Sequence, residues 1–269
     1  MKQIDFVERL NFLLETLYYD ALDGKNRIIF EYDPSYPRVF AIDSNNVLKT
    51  MEWIAKAYLL GTSEANININ FKLTNYNADT VFFSVFFSVD KDVKLDELSI
   101  QKANKFAATA KAKILITNNN QIVLYTSATL DREIKSKNIS LKSNVIKSYY
   151  AIAAYEDNLG FEILRNILKV IGVKIGSKSD FVTFKKHIKD SIYMPSVVFV
   201  SMDYFKTEQD LDELLEIQKL KGYGIVVVCH KQSKFEAKFK EHAIILREPY
   251  TYDAIVAALN YCYTKSLKR

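Results

Sequence analysis

Hydrophobic residues change rhythm along this chain. In FVERLNFLLETLYYDAL, Phe6, Leu10, Leu13, Leu14 and Leu17 recur at helical spacing, which predicts an amphipathic helix. RIIFEYD reads as a short strand, and DPSYPRVF as a turn leading into another extended piece. SNNVLKTMEWIAKAYLLG reads as a helix, opened by a Ser/Asn cap and closed at Gly61. NININFKLTNYN and TVFFSVFFSV alternate with period two around Asn-Ala-Asp, the pattern of an antiparallel hairpin. LDELSIQKANKFAATA returns to helix. AKILITNNNQIVLYTSATL forms a second hairpin with Asn118 to Asn120 at its turn.

After residue 149 the pattern alternates strictly. The apolar runs YYAIAAY, VKIG, SVVFVS, GIVVVCH and AIILRE are each followed by a helical stretch. Five strands with five following helices require a parallel sheet covered on both faces. The expected division is 1–132, a basic linker over 133–148, and 149–269.

Composition adjusts this picture only slightly. The chain has 269 residues, of which 49% are hydrophobic, enough for a core in each of two domains. Gly 7 and Pro 4 leave little room for glycine-rich phosphate loops. The 17 Tyr and 17 Phe read first as core and sheet faces. No apolar run is long enough to span a bilayer, and MKQIDFVERL has no leader pattern. Cys229 and Cys262 have no metal spacing and read as buried filler in a reducing cytoplasm. Residues 133–148 carry four Lys against one Glu, whereas 149–269 carry 18 basic against 15 acidic residues. A nucleic-acid footprint through Lys135, Lys137, Lys142 and Lys147 is therefore a minor reading, against that of a solvated surface.

The second half resembles the receiver domain of two-component response regulators. Glu156-Asp157-Asn158 follows the first strand like the family's acidic pair, LKVIG ends the first helix, and Glu248-Pro249 stands where the family has Lys-Pro. The resemblance implies a (βα)5 doubly wound, flavodoxin-like fold. It also implies a pocket needing a strand-three carboxylate, Mg²⁺ on the acidic pair, a strand-four hydroxyl and a lysine, because a phosphoryl group in transit carries negative charge. Here the nucleophile position falls on Ser201, the hydroxyl position on Cys229, and the lysine position on Glu248. Asp203 lies two residues beyond Ser201. On an extended chain that is a shift of about 6.6 Å, more than an Mg²⁺ site absorbs unless the loop folds back, so it reads as a loop or capping carboxylate. Glu156 and Asp157 are the candidates for a weakly held divalent ion; no other cofactor is expected.

The first half resembles the ATP-binding domain of histidine kinases, an α/β sandwich. Asp33, Pro37, Asp43, Leu48 and Ala57 fall in register with the family's run around its metal-binding Asn, and LDELSI resembles its GLGLSI. The departures lie in the ATP site, at Glu52, Lys56, Asp90, Leu95 and Glu97. Lys56 replaces the metal-binding Asn and offers no acceptor. Leu95 and Glu97 replace glycines that let backbone approach phosphates. Asp90-Lys91-Asp92 lacks the family's glycine, and only Lys91 to Lys94 stand where the family has a long ATP lid.

Together the two resemblances imply a degenerate hybrid sensor kinase, a pseudokinase that is not an enzyme. It would act by protein–protein recognition among two-component signalling proteins, with a homodimer compatible, as a fragment or a truncated relative. The expected interaction face comprises Phe235, Phe239, Ile245, Tyr250, Tyr252 and Ile255, with core packing as the competing account of the same side chains. The alternative is residual Mg²⁺-dependent phosphoryl acceptance at Asp203 in a phosphorelay. The three histidines, His187, His230 and His242, read as structural.

Overall fold

The computed structural model describes residues 3–77, 79–117, 119–130 and 139–267. The chain divides into two compact units, 1–137 and 138–269.

Unit 1 is a mixed sheet with helices on one face. Its strands are β1 (Gln3–Asp5), β2 (Arg27–Tyr32), β3 (Val39–Ala41), β4 (Asn66–Tyr76), β5 (Thr80–Val89), β6 (Lys113–Ile116) and β7 (Ile122–Thr129). They run in the order β1-β3-β7-β5-β4-β2, with β6 paired to β7. Among the described residues only β2 and β4 pair in parallel; the other pairs are antiparallel. On β5 the buried Val81, Phe83, Val85 and Phe87 alternate with Phe82 and Phe86, so one face of the sheet enters the core. That face meets α1 (Phe6–Asp23), α2 (Ser44–Gly61) and α3 (Glu97–Thr109) through Leu10, Leu14, Leu17, Ile54, Tyr58 and Ala103.

Each helix opens on an aspartate. Asp5, Asp43 and Asp96 accept from the backbone N–H three residues on, satisfying donors the helix cannot. The Asp96→Ala variant is expected to lose about 1 kcal/mol, read as a lower urea midpoint by the fluorescence of Trp53, the single tryptophan.

Unit 2 holds β8 (Tyr150–Ala154), β9 (Lys174–Ser179), β10 (Val197–Ser201), β11 (Gly224–Cys229) and β12 (Ile244–Arg247). All pair in parallel, in the order β12-β11-β10-β8-β9. In unit order this is 2-1-3-4-5, the flavodoxin-like winding. Helices α4 (Asn158–Ile171), α5 (Phe181–Lys189), α6 (Glu208–Lys221), α7 (Glu236–His242) and α8 (Tyr252–Ser266) follow the five strands. Every residue of β10 is buried, which explains its unbroken apolar run. Helix α4 ends at Gly172, whose φ of 101° closes the turn in the left-handed region. At the sheet's two rims, β9 carries exposed Lys174 and half-buried Lys178, and β12 is only four residues long.

Two expectations change here. The strand Gln3–Asp5 was not anticipated. The second part of the basic segment, from residue 139, is not a free linker. Asn260 of α8 accepts from the Lys142 N–H (2.8 Å) and donates to the Ser140 carbonyl (3.0 Å), and residues 144–148 form a 3₁₀ turn. Lys142 also reaches Thr264 of α8 (3.2 Å). Lys135, Lys137 and Asn118 lie outside the described residues.

Candidate functional site

The expected nucleotide position of unit 1 lies between α2 and α3. Here Lys56 is not a free cation. Its Nζ pairs with Glu52 (2.9 Å) one turn earlier and with Asp20 of α1 (3.4 Å), while Lys49 holds the other Glu52 oxygen (2.6 Å). Burial works against the charge of both groups. Ion pairing outweighs it: Lys49 and Lys56 hold Glu52 below its ordinary range, and Glu52 and Asp20 hold Lys56 above its own. Trp53 lies under two ammonium groups, Lys102 at 4.0 Å and Lys56 at 5.2 Å from the ring centre. Helices α2 and α3 pack directly on each other.

The segment from Lys91 to Asp96 closes over the end of α2. The Asp96 N–H donates to the Ala57 carbonyl (3.1 Å), and Asn120 donates to the Val93 carbonyl (2.9 Å). Val93 is buried and Leu95 packs against the core. At Gly61 the approach is so close that an added Cβ would stand 2.2 Å from the Lys94 carbonyl oxygen. Asp90 accepts from both the backbone and side-chain nitrogens of Asn66 (2.8 and 2.6 Å), so its two oxygens are engaged. Glu97 is exposed. A separate groove of about 840 Å³ lies between α1 and α2. Glu52 lines it, but Lys56, Asp90, Leu95 and Glu97 do not.

In unit 2 the site forms at the carboxyl end of β10. The chain does not stay extended past Ser201. A single 3₁₀ turn, Met202–Tyr204, brings Asp203 back to the strand end, and the Ser201 hydroxyl donates to its carboxylate (3.3 Å). This is the fold-back that the extended-chain reading left open. Two residues just past β11 converge on the same carboxylate: Lys231 by an ion pair and His230 through Nδ1 (3.4 Å). Sequence reasoning missed Lys231 and read His230 as structural. The only available signal was the His-Lys pair directly after an apolar strand.

The other pocket positions turn elsewhere. Glu156 is exposed, and Lys178 donates to its carbonyl (2.9 Å) and to the Asn158 side chain. Asp157 caps α4 through the Gly160 N–H. Among the described residues no three His, Cys, Asp or Glu side chains gather to hold a metal ion. Cys229 is buried with its thiol donating to the Lys231 carbonyl. Glu248 points inward, accepting from the Tyr155 hydroxyl (2.6 Å), with the Tyr250 hydroxyl 3.3 Å from that of Tyr155. Burial, the Glu248 charge and Tyr250 push Tyr155 far above its usual range, so it remains a donor.

The expected interaction face is also corrected. Phe235, Phe239, Tyr250 and Ile255 are buried, Phe239 stacking edge-on against Phe205 (4.7 Å), while Ile245 and Tyr252 are half-buried. These side chains fill the core beneath α7 and α8.

Asp203 gives the site a pH signature. Burial raises its pKa, but His230, Lys231 and Ser201 outweigh this and hold it below the ordinary value. A depressed folded-state pKa adds stability above the unfolded value, about 4, that fades as pH falls through the folded one. Asp203→Asn is expected to lower the melting temperature at pH 7, with the gap to wild type narrowing below about pH 4. Paired melts at pH 7 and pH 3 check this. A gap of equal size at both would rule out the carboxylate charge as the source.

No family model matches the chain, and no curated protein matches it. Among solved structures, ShkA full-length in complex with AMPPNP is similar over 97% of this chain and 57% of its own, with 11% identity and a TM-score of 0.64. The chain thus spans little more than half of that protein. A response regulator receiver domain protein from Clostridium thermocellum aligns over 45% of this chain and 100% of its own (18% identity, TM-score 0.38). The catalytic domain of histidine kinase ThkA aligns over 48% and 95% (14% identity, TM-score 0.34). No helix among the described residues is long and apolar enough to cross a membrane. By its sheet orders and its likeness to ShkA, the chain has a two-unit fold, a mixed α/β sandwich followed by a flavodoxin-like (βα)5 unit.

Proposed function

We propose that this chain is a two-component signalling protein that has lost both kinase and phosphoacceptor chemistry. It works as a protein-recognition scaffold for other members of such systems. The observation that carries this reading is the closure of the Lys91–Asp96 segment onto Gly61 and Ala57. A nucleotide such as the AMPPNP named for ShkA would need that segment displaced and α3 parted from α2. It would also meet Lys56 already neutralised by Glu52 and Asp20. An ammonium with two carboxylate partners cannot ligate a metal and gives little net attraction to a phosphate. Titration calorimetry of the full chain with ATP and Mg²⁺ tests the reading, with no heat of binding expected at millimolar nucleotide. Saturable binding at micromolar concentration would overturn it.

A second reading has one observation in its favour. Asp203 folds back to the strand end beside a lysine and a serine hydroxyl, the kinds of group that steady a phosphoryl anion. Under this reading beryllofluoride with Mg²⁺ shifts the amide resonances of residues 201–205 and 229–231. An unchanged spectrum discards it and leaves the scaffold.

A further inference from the structure

From the face of the unit 1 sheet turned away from its helices we infer that this chain binds single-stranded nucleic acid, with bases on an aromatic zigzag and phosphates on two flanking lysines. The helices cover the other face, where the rings of Phe40, Phe71 and Phe83 pack on one another. Residues one position out of phase point the opposite way. On β5 these include Phe82, Ser84 and Phe86, and on β7 Tyr125, which is paired to Ser84. Phe82 is 38% and Tyr125 41% exposed, and Phe86 is half-buried. None of these three rings meets another aromatic ring among the described residues. Phe82 and Phe86 stand about 14 Å apart along β5, and Tyr125 lies midway on the next strand, about 8 Å from each. Successive bases of a duplex are about 3.4 Å apart and cannot each take a ring of their own at that spacing. Bases splayed from a single strand can.

The charge on this face selects a polyanion. Strands β4, β5, β6 and β7 contain no acidic residue and two basic ones, Lys72 and Lys113. The pairing registers set both in one row across the sheet, Lys72, Ser84, Tyr125 and Lys113, so a lysine flanks the central ring on each side. Both lysines are exposed, and neither forms an ion pair among the described residues. The Lys72 ammonium stands 5.5 Å from the centre of the Phe86 ring, so cation and ring already share one surface. Two carboxylates lie at the margin, and both are engaged. Glu31 of the edge strand β2 accepts from Asn70, and Asp90, just beyond β5, accepts twice from Asn66. An acidic polypeptide would satisfy the lysines alone. The three rings in addition favour bases, whose flat faces stack without regard to sequence. The inference goes beyond the scaffold reading, and it uses neither the basic segment 133–148 nor the chemistry of either pocket.

Fluorescence anisotropy of the full chain with fluorescein-labelled oligouridylate and oligodeoxythymidylate of about twelve nucleotides, and with a duplex of the same length, tests this. At about 50 mM salt a single strand is expected to bind with a Kd on the order of 1–50 µM, at least about tenfold tighter than the duplex. Binding of either single strand supports the inference, and the tighter of the two names RNA or DNA as the ligand. Tyr125→Ala and Phe82→Ala should each weaken binding about five- to fiftyfold, whereas Tyr125→Phe keeps the ring and should stay within about twofold of wild type. Lys72→Gln and Lys113→Gln should each reduce the slope of log K against log salt by about 0.7. All four positions are exposed, so each variant should melt like wild type. Should an alanine variant fail to fold, the amide shifts that oligouridylate causes in the wild-type chain locate the site, and they are expected in β4, β5, β6 and β7. No anisotropy change at about 200 µM chain and about 50 mM salt overturns the inference. So do alanine variants that bind like wild type, a duplex bound as tightly as the single strands, or amide shifts confined to residues 139–148. Equal displacement of the oligonucleotide by polyglutamate at the same charge concentration would assign the face to an acidic protein and overturn it as well.

Discussion

Glu248→Lys, which places a lysine where the receiver resemblance implies one, is expected to destabilise unit 2 by about 3–5 kcal/mol rather than to build a pocket. Glu248 is 5% exposed and accepts the Tyr155 hydroxyl at 2.6 Å, with Tyr250 alongside. The substitution removes the acceptor that Tyr155 is oriented toward. It also places an ammonium in a site that water does not reach, where charge carries a large desolvation penalty. Glu248→Gln keeps an acceptor of similar size and should cost only about 1 kcal/mol. Because Trp53 reports unit 1 alone, the measurement is amide hydrogen exchange in β8 and β12. Wild-type protection in the lysine variant would show that the inward position of Glu248 is not structural.

The second large effect concerns Gly61. Helix propensity alone says that Gly61→Ala should stabilise α2 by up to about 1 kcal/mol. The geometry says the opposite, because the new Cβ would fall 2.2 Å from the Lys94 carbonyl oxygen and 3.1 Å from the Val93 side chain. Backbone on one side and a buried side chain on the other leave little room to yield. A net loss of about 1–3 kcal/mol is expected, seen as a lower urea midpoint by Trp53 fluorescence. The two arguments differ in sign, so the result is decisive. A stabilised variant would mean that the 91–96 segment stands off the helix and that space for a ligand exists there.

Much of the architecture was legible because the sequence rhythm is strong where burial is one-sided or complete. Val197–Ser201 declared itself as a two-sided strand, and the helices announced their extents, although α2 is capped by Asp43 rather than by the expected Ser or Asn. Gln3–Asp5 did not, because three residues carry no readable period and their pairing partner, β3, lies more than thirty positions away. The site was less legible for a related reason. That Ser201, Cys229 and Glu248 lie at or just past the ends of three successive strands follows from their order along the chain. The backbone turn at Met202 that returns Asp203 does not, since it depends on a hydroxyl capping its own loop. The meeting of Asp203 with Lys231 is a contact between two loops, and no local pattern encodes it. Phe235 and Phe239 misled because helix α7 is short, and its aromatics reach the core rather than forming a surface stripe.

The rims of the receiver sheet bear on how anything could be recruited to it. Strand addition needs a long, flat row of unpaired amides and carbonyls. One flank here offers four residues, and the other is studded with ammonium groups, one of them bent across Glu156 and Asn158. An extended peptide finds no template on either side, so whatever visits this half of the molecule must read helices and loops instead.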